Sequence, residues 1–135
     1  MDRQLQERLH IYEREGLASP QIVNMVRDIL LWLEHTSHHL CTEDSVGTFA
    51  SHLMLALARI NRGEVLGSAW NPGVHEEAMS LTPFIPWAEY IQRETKHVLD
   101  LTLPQEEFDF LLLHLGAFLA YYNDSLLSQD KIGAE

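Results

Sequence analysis

Apolar residues recur three and four positions apart in one stretch of this chain after another, and the stretches are bracketed by residues that start or stop helices. Leu5, Leu9 and Tyr12 mark an amphipathic surface helix over residues 2–15, ending at Gly16. Ser19-Pro20 supplies an N-cap and a first-turn proline for a second helix, striped by Ile22, Val26, Ile29, Leu30 and Leu33 and running to about Leu40. Thr42 or Asp44 caps a third, with Val46, Phe49, Leu53, Leu57 and Ile60 on one face and a stop at Asn61–Gly63. Asn71-Pro72-Gly73 is read as a helix break, followed by a short helical piece around His75–Leu81. Pro83 and Pro86 open a helix with Trp87, Ile91 and Val98 on one face, and Leu103-Pro104 opens the last, which runs to Tyr122 or Asn123. Alternating apolar and polar runs joined by hairpin turns are missing. The expectation is an all-α, compact bundle of about five helices, one domain over residues 1–135 with a frayed tail over 124–135.

Charge narrows the functional classes. Acidic residues outnumber Lys and Arg by 20 to 9, a net charge of −11, which argues against direct nucleic-acid binding because phosphate backbones need a basic face. No apolar run is long enough to span a bilayer and the amino terminus has no signal-peptide profile, so no membrane insertion and a cytoplasmic location are expected. A lone cysteine, Cys41, has no internal disulfide partner and is read as a passive small residue.

Two histidines interrupt the apolar helices. His52 lies in "TFASHLMLALARI" and His114 in "DFLLLHLGAFLAY". Seven residues make nearly two helical turns, so positions i and i+7 share a face to within about 20°. Arg59 follows His52 at that spacing, through Ala56, and Glu107 precedes His114 at the same spacing, through Leu111. Each imidazole thus sits at the edge of an apolar stripe with one charged residue on its face. A neutral imidazole there is a competent nucleophile near pH 7 and can accept a phosphoryl group from a donor whose leaving group is also an imidazole. The modification adds about −1.5 to −2 charges, for which Arg59 is the offsetting cation.

The ordered set "DSVGTFASHLMLALARINRG", Asn71-Pro72 and "LPQEEFDFLLLHLGAF" resembles the phosphotransferase-system regulation domain of bacterial regulators, over roughly residues 15–123. The family pattern of histidine, arginine seven later, Asn-Pro, Leu-Pro-x-x-Glu and a second histidine maps onto His52, Arg59, Asn71, Pro72, Leu103, Pro104, Glu107 and His114. The resemblance implies a helical bundle, a homodimer, and phosphorylation of His52 and His114 by the phosphocarrier HPr or a sugar-specific enzyme II component. Arg59, Glu107 and Asn71 are then supporting residues, and the domain is a regulator that turns nothing over and needs no cofactor. The pattern departs at Ser51, where many members carry aspartate. Members usually stand behind a nucleic-acid-binding module, and none is found in these 135 residues, so action through a separate transcriptional regulator is expected.

Two other classes compete. In one, both histidines are structural and the chain is an unphosphorylated interaction or dimerisation module, with Trp32, Trp70, Trp87, Tyr90, Tyr121 and Tyr122 as partner-surface residues. In the other, a metal-dependent helical-bundle enzyme draws its ligands from Glu94-x-x-His97 and the cluster His35, His38 and His39. Glu7 and His10 have the same spacing as Glu94 and His97 but lie on a polar face with Arg3 and Arg14.

Overall fold

The computed structural model describes residues 1–64 and 71–127. They form six helices, α1 (Arg3–Arg14), α2 (Pro20–Ser37), α3 (Glu43–Asn61), α4 (Pro72–Met79), α5 (Ile85–Leu99) and α6 (Gln105–Tyr121), with a 3₁₀ turn over Thr82–Phe84 before α5. No strand occurs among the described residues, so the fold is all-α. None of these helices is long and apolar enough to cross a membrane.

Helix starts follow from capping chemistry. Asp2 accepts from Leu5 N at 2.9 Å, capping α1, and the same carboxylate accepts from Glu43 N at 3.2 and 3.3 Å. One anion therefore serves the positive ends of two helices. Ser19 Oγ accepts from Ile22 N at 3.2 Å with Pro20 in the first turn of α2. Thr42 and Ser45 form a reciprocal capping box at α3: Thr42 Oγ1 accepts from Ser45 N at 3.1 Å and Ser45 Oγ from Thr42 N at 2.9 Å. Gly16 and Gly63, after α1 and α3, adopt the left-handed φ of +71° and +74° that ends a helix without a Cβ clash.

Two boundaries differ from the sequence expectation. The second helix stops at Ser37, short of Leu40, because His38 turns left-handed (φ 61°) and Ser37 Oγ takes the His39 N–H at 3.1 Å. The fourth begins at Pro72, where a break had been expected. Asn71 Oδ1 accepts from Gly73 N (2.9 Å) and Val74 N (3.2 Å), which makes Asn71 an N-cap and Pro72 a first-turn proline. In the tail, Asp124 Oδ1 accepts from Leu126 N at 2.8 Å, and residues 128–135 lie outside the described residues.

Contacts divide the chain into two compact units, Met1–Leu66 with His97–Leu101, and Gly67–Lys96 with Thr102–Glu135. In the first, α1, α2 and α3 pack on one another. Fully buried here are Leu5, Leu9, Val26, Leu30, Leu33 and Leu57 of the predicted stripes, together with Val23, Ala50 and Met54, which the stripes did not include. Each buried Leu, Val or Met contributes about 1.5–3 kcal/mol of transfer free energy. In the second unit α4 packs on α6, and the 3₁₀ turn also meets α6. Gly116 permits this approach, since a Cβ there would stand 3.1 Å from Leu81 Cδ1. Phe84, Ile91, Leu112, Leu115, Phe118 and Leu119 are buried in this unit.

Candidate functional site

The expected acceptor imidazoles sit where their helices place them, at the margin of the buried stripes. His52 of α3 lies between buried Ala50 and Leu53, is itself half-buried, and is engaged in polar or electrostatic interaction. Arg59, two turns along α3, is exposed, while Ala56 between them is buried. His114 of α6 is likewise half-buried and engaged. Glu107 is 8 % exposed in the first turn of α6, where the helix dipole favours a carboxylate. Neither ring is sealed in a core and neither stands clear of one.

A cation bonded to the residue before His52 was not visible from sequence. Arg8 of α1 donates from Nη1 to Ser51 Oγ at 2.6 Å and from Nε to both Glu43 carboxylate oxygens at 3.0 Å. Hydrogen bonding to Glu43 raises the Arg8 pKa further, so this guanidinium is a fixed positive charge. Ser51, the residue preceding His52, thus accepts a bond from arginine. Arg8, Glu43, Glu7, Asp44, Ile11 and Tyr12 line an open cleft of about 670 Å³ along α1 and the start of α3. Arg8 stands three positions after Leu5 and four before Tyr12, so its place at the edge of the apolar stripe was the available signal.

The second unit holds a pair that the sequence also hid. His75 Nδ1 lies 3.1 and 3.0 Å from the two carboxylate oxygens of Asp109, and Gln105 Nε2 donates to Asp109 Oδ1 at 2.9 Å. The Asp109 side chain is 2 % exposed and that of His75 31 %. Asp109 falls in register with Leu112, Gly116 and Leu119 on the buried face of α6, and an acid inside an apolar stripe was the clue. Asn71, expected as a supporting residue, is the N-cap that starts the helix bearing His75.

The remaining candidates divide by exposure. His35 and His38 are exposed and His39 is half-buried; Glu94 is half-buried and His97 exposed; Glu7 and His10 are exposed. Among the described residues no group of three or more His, Cys, Asp or Glu is placed to hold a metal ion. Tyr121 is 54 % exposed and stacks edge-on against Tyr122 at 5.0 Å, which in turn meets Phe118 at 5.4 Å. Trp32, Trp87 and Tyr90 are half-buried, and Trp70 lies outside the described residues.

Cys41 is fully buried, with Sγ 3.4 Å from the Leu30 carbonyl. Burial, reinforced by the Glu34 carboxylate, pushes its thiol up to about 12. The thiolate is the reactive form, so the native thiol is expected to stay unmodified by a maleimide at pH 7.5 and to react fully once the chain is unfolded in urea. The folded state favours the protonated form. Stability contributed here is therefore complete below the unfolded thiol's pKa of about 8.5 and declines as pH rises from there toward 12. Comparison of the chain with protein-family models, with curated proteins and with solved structures returns no match.

Proposed function

We propose that this chain is a regulatory domain that accepts phosphoryl groups on His52 and His114 from the sugar phosphotransferase system and relays carbohydrate status to a partner regulator. The observation that carries the reading is the half-burial of both rings on helices that also bear fully buried residues, Met54 and Leu57 on α3 and Leu112 and Leu115 on α6. A donor protein can meet such a ring, while the surrounding core holds it in place. Arg8 and Arg59 on the first unit are the cations that offset a phosphoryl group at His52. HPr or an enzyme II component is the donor, and the domain acts as a homodimer in the cytoplasm. Added charge at the margin of a core changes partner affinity more than it changes the fold, which suits a relay.

Incubation with phosphoenolpyruvate, enzyme I and HPr tests this. The wild-type protein should gain an acid-labile phosphoryl mass. His52→Ala and His114→Ala should each remove one increment, and the double variant should lose the signal from both sites. A folded wild-type protein that takes up no phosphoryl group, while a known acceptor in the same mixture does, makes the chain an unphosphorylated interaction module instead. Arg8→Ala should slow transfer to His52 by about tenfold, the worth of one charge-assisted contact of roughly 1.5 kcal/mol.

A further inference from the structure

The His75–Asp109 pair has the arrangement of an oriented nucleophile, and nothing derived above uses it. An ionised carboxylate only accepts hydrogen bonds, so a neutral His75 must donate from Nδ1. That fixes the tautomer and leaves the lone pair on Nε2. Gln105 pins the same carboxylate from a second direction, and α4 and α6 carry the two partners on packed helices rather than on loops. The aspartate is buried while the imidazole keeps about a third of its surface in solvent. A purely structural salt link has no need of that asymmetry; a ring that must meet a donor does.

We propose that Nε2 of His75 is a further phosphoryl-acceptor nitrogen, with Asp109 as its positioning residue. The inference rests on the histidine-phosphorylation reading above and extends it to a third site. In the transfer the lone pair of Nε2 forms the new P–N bond as the donor's P–N bond breaks. The donor imidazole departs neutral, keeping the proton on its other nitrogen. The His75 ring retains its Nδ1 proton and becomes a phosphoimidazolium, whose positive charge lies against the Asp109 carboxylate. No proton, electron or other co-reactant is consumed. Glu76 and Glu77 follow His75 on α4 and are exposed, so the phosphoryl group sits in a field of like charge. That favours passing the group on over storing it.

Phosphoramidate, a small donor that needs no docking protein, tests the site on the full chain. Labelled positions are mapped by electron-transfer fragmentation, and ¹⁵N chemical shifts of the His75 ring report its tautomer. His75 is expected to be labelled on Nε2 at least about tenfold faster than the exposed His10, His35, His38 and His97. Asp109→Asn should bring it down to their rate and mix the tautomers while circular dichroism stays unchanged. If that variant does not fold, the wild-type ranking and tautomer decide. Labelling of His75 no faster than the exposed histidines, or unchanged by Asp109→Asn in a folded protein, overturns the proposal. Transfer from HPr to His52 and His114 with His75 inert to both donors removes this site alone. Fast labelling of His75 by phosphoramidate in a protein that HPr leaves unmodified removes the relay and sustains the oriented imidazole.

Discussion

Truncating Phe118 to alanine is expected to lower the unfolding free energy by about 3–5 kcal/mol, with a thermal midpoint lower by roughly 10–20 °C. The ring is 1 % exposed, lies on the same α6 face as Leu111 and Leu115, and meets Tyr122 edge-on at 5.4 Å. Its removal deletes buried apolar area, the aromatic contact, and the support for the last turn of α6. Leu40→Ala is the control. That side chain is 61 % exposed, so its loss should stay within about 0.5 kcal/mol. Urea denaturation of both variants reads the difference. A Phe118→Ala protein within 1 kcal/mol of wild type means that α6 is not packed as described.

The second large effect is expected at the buried carboxylate. His75→Ala takes the imidazole partner from Asp109, whose side chain is 2 % exposed, and leaves the hydrogen bond from Gln105. Removing one partner of a buried hydrogen bond to a carboxylate costs about 2–3 kcal/mol. In an Asp109→Asn background no charge remains to be stranded, and the same His75→Ala change should cost under about 1 kcal/mol. The coupling of about one to three kcal/mol in this double-mutant cycle, measured by urea denaturation, is the energetic signature of the pair. Equal costs in the two backgrounds mean that the carboxylate does not depend on His75.

Most of the helical layout was legible because its signals are local. Ser19-Pro20 and the glycines at 16 and 63 act on groups within four residues and took the predicted roles, and of the two cap candidates for α3, Thr42 and Asp44, Thr42 is the cap. The same locality explains the misplaced boundaries. "HTSHHL" contains neither glycine nor proline, and its stop depends on a left-handed His38 and a Ser37 hydroxyl, options that are weak in isolation. Asn71-Pro72-Gly73 fits a break and a helix start equally well, and the capping bonds to Gly73 and Val74 decide in favour of the start.

The site was legible only in part, for a different physical reason. His52 and His114 could be placed at stripe edges by periodicity alone, and the half-burial of both rings agrees with that placement. Arg8 and Ser51 are 43 positions apart and His75 and Asp109 are 34 apart. Such pairs come from helix packing, which periodicity does not encode. What periodicity does show is a charged residue on an apolar face, at Asp109 as at Glu107, and at Asp109 that signal marks the partner His75 brought by α4.

Phosphoryl transfer to His52 and His114 requires that both rings be held at the margins of helical cores and still be reachable from solvent. Carbethoxylation of the folded protein, followed by peptide mapping, measures this directly because the reagent takes accessible neutral imidazoles. Both rings are expected to react to completion in the native state, more slowly than the exposed His10 and His97, at rates unaffected by urea below the unfolding transition. Reaction of His52 and His114 only in step with global unfolding would show both rings closed to any donor and contradict the proposed relay.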